Sequence, residues 1–323
     1  MNRDMVMQVL DKFSDELPYY FDLDDSEDAS YSGSGSSGDE RARNRRRDGA
    51  ISTSSGSKPR AIKLTVHGGA CMLLHPGFHS LSLKMPEIPR PKLSTNHSPS
   101  DPSRLHDPTY VGPRPTKTIH DLARRTSTRD VDIVLRGFVA DFGALGPPPR
   151  NKQRRREGGW AGPEEDVSRM DAATRLKACI KATTRYFPGL GLDWMNADAD
   201  VSLPMAAHPT TLQTYDPIHT STWTYKNTHL YTVYTSPNKR LVLTSVPPYW
   251  LLALKMSRWG PRDWADVGIV LRYGTLMSRT LVGQDIEWSG DRVRKFLEKE
   301  CWAMGYLTDR YDVGKKRRVS EKV

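Results

Sequence analysis

Paired cysteines and long apolar runs are absent from this sequence, and its first sixty residues are poor in large apolar groups. Only three cysteines occur, Cys71, Cys179 and Cys301, far apart and with no CxxC pair. That spacing excludes a disulfide framework and a zinc-finger ligand set, and reads as buried free thiols in a reducing compartment. No window approaches the roughly 18 consecutive apolar residues of a membrane span. The opening MNRDMVMQVLDKF lacks the apolar core and cleavage site of a secretory signal, so the expected location is cytosol or nucleus. Gly33–Gly38 is followed by no Lys-Ser/Thr and no helix, which excludes a phosphate loop there. No paired carboxylates stand out beside an apolar stretch, and the expectation is a protein that is not an enzyme, with no metal and no cofactor.

What is abundant is positive charge. The 323 residues carry 48 Lys+Arg against 38 Asp+Glu, a net charge of +10. Such an excess favours polyanionic partners, either nucleic acid or an acidic membrane surface. The charge is clustered. One cluster is Arg41, Arg43, Arg45, Arg46 and Arg47; a second is Arg150, Lys152, Arg154, Arg155 and Arg156. Both sit in segments that read as loop, and both suit gripping phosphates without reading sequence. A third run, Lys315, Lys316, Arg317 and Arg318, follows a glycine and has the form that a nuclear-import adaptor binds in extended conformation.

The organisation read from the pattern is a disordered acidic-then-basic region over 1–60, one α+β domain over 61–310, and a basic tail over 311–323. Within the first region, Val6, Val9, Leu10 and Phe13 share a helical face. With Tyr19, Tyr20, Phe21 and Leu23 they are expected to anchor a protein partner, folding on contact. A Ser/Gly stretch then reads as linker. From Ala61 the alternation of Ile62, Leu64 and Val66 predicts a strand, and Leu81, Leu83 and Met85 a second. Residues 86–117 read as a long loop. Thr118 to Asp121 has the capping-box spacing, and Val131–Phe142 reads as a buried strand. Met170, Ala173, Leu176 and Ile180 trace a helix, with capping spacing at Ser168–Asp171. Thr222–Thr235 against Lys239–Val246 predicts a hairpin. Two further helices are expected, one with Trp264, Val267 and Leu271 inward, the other with Val293, Phe296, Leu297 and Cys301. The expected fold class is α+β, a mostly antiparallel sheet with flanking helices.

Histidine spacing yields little. His75 and His79 lie four apart, but Pro76 and Gly77 between them argue against a helix there. His219-Thr-Ser-Thr222 is faintly similar to one strand of the two-histidine phosphoesterases, without the second copy that motif needs.

Two stretches resemble matrix proteins of nonsegmented negative-strand RNA viruses. Residues 293–308, Val-Arg-Lys-Phe-Leu-Glu-Lys-Glu-Cys-Trp-Ala-Met-Gly-Tyr-Leu-Thr, are similar to the closing helix-then-strand of rhabdovirus matrix proteins. Gly137-Phe-Val-Ala-Asp-Phe-Gly-Ala-Leu-Gly-Pro-Pro resembles a strand-into-turn of paramyxovirus matrix proteins. The resemblance implies a viral structural protein that binds nucleoprotein or RNA and an anionic membrane surface. It also implies a homo-oligomer, found in virion, host nucleus and cytoplasm. A nuclear nucleic-acid-binding or regulatory protein, and a viral movement or capsid protein, are the alternatives.

Overall fold

Strand β1 (Ile62–His67) occupies the centre of a five-stranded sheet in a computed structural model that describes residues 1–24, 59–84, 127–147, 166–198, 200, 203–207, 211–258, 263–282 and 287–304. Its neighbours are β2 (Val131–Ile133), antiparallel, and β7 (Leu241–Ser245), parallel. β3 (Met195–Asn196) lies parallel outside β2, and β6 (Thr232–Thr235) antiparallel outside β7. The spatial order is β3-β2-β1-β7-β6, and β4 (Ala206–Ala207) with β5 (Thr214–Tyr215) forms a separate two-stranded sheet. The main sheet is therefore mixed, not mostly antiparallel. Neighbouring residues Leu64, Thr65, Val66 and His67 are all buried, so both faces of β1 are covered. Such burial is characteristic of sheets with parallel strands and helices on both sides.

The first helix, α1 (Arg3–Glu16), corrects the expected domain boundary. Asn2 caps it, and Val6, Val9, Leu10 and Phe13 are fully buried in the same core as β1 and β7. Leu17, Tyr20, Phe21 and Leu23 are buried too, with Tyr19 packed partly against them. Glu16 accepts hydrogen bonds from Arg185 and from the Tyr186 hydroxyl, both at 2.7 Å. The Tyr234 hydroxyl donates to Asp11, joining α1 to the β6–β7 hairpin. These side chains are spent on the chain's own core, so the anchors expected for a partner are internal, and residues 1–24 belong to the folded body. The remainder of 25–60 lies outside the described residues except Pro59 and Arg60.

Helices α2 (Gly68–Leu74) and α3 (Pro76–Leu83) follow β1 directly. The strand expected around Leu81–Met85 is thus helical in its described part: Pro76 at the first turn, with His75 as cap, starts a helix instead of breaking one. Val131–Phe142 splits into β2 and α4 (Leu135–Phe142), because Leu135, Phe138 and Phe142 repeat at helical spacing. α5 (Ala172–Thr183) begins at Asp171, whose side chain accepts from the Thr174 amide at 2.6 Å. α6 (Pro217–Thr222) ends where the expected hairpin begins, and α7 (Tyr225–Tyr231) occupies most of its expected first strand. Only its last turn forms, β6 and β7 joined through Ser236, Asn238 and Lys239. α8 (Pro248–Arg258), α9 (Asp263–Val282) and α10 (Gly290–Glu300) complete the described chain. Val293, Leu297 and Cys301 are buried as expected, whereas α9 buries Ile269, Val270 and Tyr273 more deeply than Val267 and Leu271. No helix among the described residues is long and apolar enough to cross a membrane.

Candidate functional site

Chemistry-bearing side chains gather where β1 ends, beside the start of β2. The register pairs His67 with Asp132 and Asp132 with Asn196, a row of three polar residues across neighbouring strands. Asp130 and Asp132 flank Val131, and alternation along extended chain puts both carboxylates on one face while Val131 and Ile133 point into the core. The Asn196 amide donates to Asp130 at 3.3 Å. Burial, followed by the charge of Asp132, holds the Asp130 carboxyl above its ordinary range. A neighbouring like charge disfavours the ionised form, and a proton or a cation at this face offsets it.

Gly68 closes the other side. It leaves β1 at φ +71°, a left-handed conformation that side chains resist. A methyl group on its Cα would stand 2.1 Å from the Asp132 carboxylate oxygen. Glycine is thus required twice, by the backbone angle and by the carboxylate seated against it. Cys71, one helical turn on, donates its thiol to the Val66 carbonyl at 3.2 Å. Burial pushes that thiol up to about 12, so it is a protonated structural group and not a nucleophile. Behind it Lys255, buried in α8, pairs with Asp266 at 2.6 Å and Asp263 at 3.2 Å in the first turn of α9.

A second polar group braces α4. The Arg136 guanidinium pairs with Asp216 and donates to the carbonyls of Leu203 and Pro204, while its amide donates to Asp200 at 3.0 Å. His219 stands 3.0 Å from Asp141 and lies over Gly137, so it is a packed histidine of α6. Its segment is helical, which removes the strand that the phosphoesterase similarity requires.

His75 is also structural, and it gives a pH prediction. Its Nδ1 accepts from the amides of Gly77 and Phe78, and its ring stacks on Phe78 at 4.3 Å. Burial lowers its pKa from 6.5 to about 4. Folding therefore favours the neutral ring, and stability is complete above pH 6.5 and falls as pH drops towards 4. The loss amounts to about 3 kcal/mol. Urea melts across that window are expected to show this decline, and His75→Asn, which keeps the cap, to flatten it.

Of the residues expected from sequence to carry function, the two Arg-rich clusters and the 315–318 run lie outside the described residues. Sequence reasoning missed Asp130, Asp132 and Gly68, although the signal was present as Asp-x-Asp opening a strand and Gly-Gly closing another. No group of three or more His, Cys, Asp or Glu among the described residues is arranged to hold a metal ion by itself. The chain matches no family model, no curated protein and no solved structure.

Proposed function

We propose that Asp130 and Asp132 hold a divalent cation that completes its coordination on a phosphate-bearing ligand, making this a site for metal-assisted phosphoryl or nucleotidyl transfer. The observation that carries the reading is the Asp132 carboxylate seated against the bare Cα of Gly68, with a second carboxylate on the same strand face. Magnesium is commonly bound by only one or two protein carboxylates plus substrate phosphates, so two suffice where three would be needed for a permanent site. Burial, followed by the Asp132 charge, raises Asp130, and a cation there offsets the second of these and neutralises charge on the transferring phosphoryl group. Asn196 orients Asp130, and the buried Cys71 and Lys255 form the support behind.

The test is thermal. Magnesium with a nucleoside triphosphate is expected to raise the melting temperature of the full chain, whereas neither does so alone. In Asp132→Asn the rise should vanish while the unliganded melting temperature stays near that of the parent. A rise without magnesium, or one that survives Asp132→Asn, contradicts the reading.

A second reading, the matrix-type structural protein binding RNA and anionic membrane, is favoured by the net charge of +10 and its clustering. It draws on residues 41–47, 150–156 and 315–318, and the two readings use separate parts of the chain.

A further inference from the structure

A concavity of about 390 Å³ lies between α5 and residues 192–200 and adjoins the carboxylate pair, since Asn196, which donates to Asp130, is part of its lining. Volumes of about 300–1,000 Å³ are typical of small-molecule sites. Its floor is apolar and buried, made by Ile133, Leu176, Ile180 and Met195. Its rim is charged and exposed, with Lys177 and Lys181 on one wall and Asp193 and Asp198 on the other. The lysines stand four apart on one helical face, an arrangement in which like charges repel. Ion pairs among the described residues include none of these four side chains. Opposite charges thus face each other across an open apolar floor without closing on one another.

We propose that this cleft binds a dipolar small molecule, with an anionic group at one end, a cationic group at the other and an apolar body between. An anion bridging Lys177 and Lys181 removes their mutual repulsion, and an ammonium suits Asp193 and Asp198, each through charge-assisted hydrogen bonds. The apolar floor accepts the body of the ligand. A polyanion is disfavoured by the aspartates and a bare metal ion by the lysines. The assignment goes beyond the phosphoryl-transfer reading and does not depend on it.

The probe is 4-(aminomethyl)benzoate, which carries carboxylate and ammonium at opposite ends of a flat ring. With the full chain labelled at methionine methyl groups, the Met195 signal, assigned through Met195→Leu, is expected to shift saturably on titration. Each double variant, Lys177→Gln with Lys181→Gln and Asp193→Asn with Asp198→Asn, is expected to weaken binding about tenfold, as is the use of 4-methylbenzoate. All four residues are exposed, so the variants should melt as the parent does. No Met195 shift, equal binding by both double variants, or equal binding of 4-methylbenzoate overturns the proposal. Asp132→Asn is expected to retain probe binding. Its loss there would make the cleft part of the carboxylate site and overturn the separate assignment. Retention, together with failure of the magnesium-dependent thermal shift, would contradict only the phosphoryl-transfer reading.

Discussion

Deleting residues 1–24 is expected to leave the rest of the chain unfolded. Eight apolar side chains from Val6 to Leu23 are buried in that segment. At about 1.5–3 kcal/mol for each fully buried side chain, their loss reaches or exceeds the roughly 5–15 kcal/mol by which domains are stable. The deletion also leaves Arg185 and Tyr186 without the Glu16 carboxylate, and Tyr234 without Asp11. A single change makes the same point less drastically. Phe13 packs edge-on against Trp194 with ring centroids 5.8 Å apart, and Phe13→Ala is expected to cost about 3–5 kcal/mol. Circular dichroism of the truncated chain and urea melts of the variant check both. A truncated chain that melts like the parent would return this segment to the role of a separable partner-binding arm.

The second large effect is expected at Gly68. Gly68→Ala places a methyl group where the Asp132 carboxylate sits and forces a side chain into the left-handed region, which costs about 1–2 kcal/mol before any clash. The carboxylate must turn away, so the substitution is expected to lose both stability and cation affinity. The double variant Gly68→Ala with Asp132→Ala separates the causes. It is expected to recover the part of the stability owed to the clash and none of the affinity, a coupling that a double-mutant cycle in urea measures directly. Additive losses would mean that the two residues do not touch.

How much of this was legible in the sequence depends on distance along the chain. β1 is legible because Ile62, Leu64 and Val66 alternate, and α10 because Val293, Leu297 and Cys301 recur at helical spacing. The parallel pairing of β1 with β7 is not, since Leu64 and its partner Leu243 are far apart in sequence and no local pattern records such a partnership. The face of α1 is visible, but amphipathicity does not say whether a helix covers its own core or another protein's. The polar residues after Leu23 tip the reading towards the second, while burial beside Trp194 decides for the first. Thr222–Tyr231 is rich in strand-forming residues, yet Asp216 and Thr224 cap two short helices there. The site itself is hidden by a mistaken element. Taking Val131–Phe142 as one apolar strand directs attention to its hydrophobic residues, away from Asp132 within it and Asp130 just before it. Even with both seen, nothing local predicts that Gly68 comes to lie against Asp132.

Titration of the full chain with manganese, followed by the electron paramagnetic resonance of the free ion, tests the central claim most directly. One tight site is expected in the presence of a nucleoside triphosphate beyond what the nucleotide binds alone, weakening as pH falls through the raised Asp130 value. Asp130→Asn and Asp132→Asn are each expected to abolish that site without lowering the melting temperature. Manganese bound equally by the parent and both variants would contradict the account.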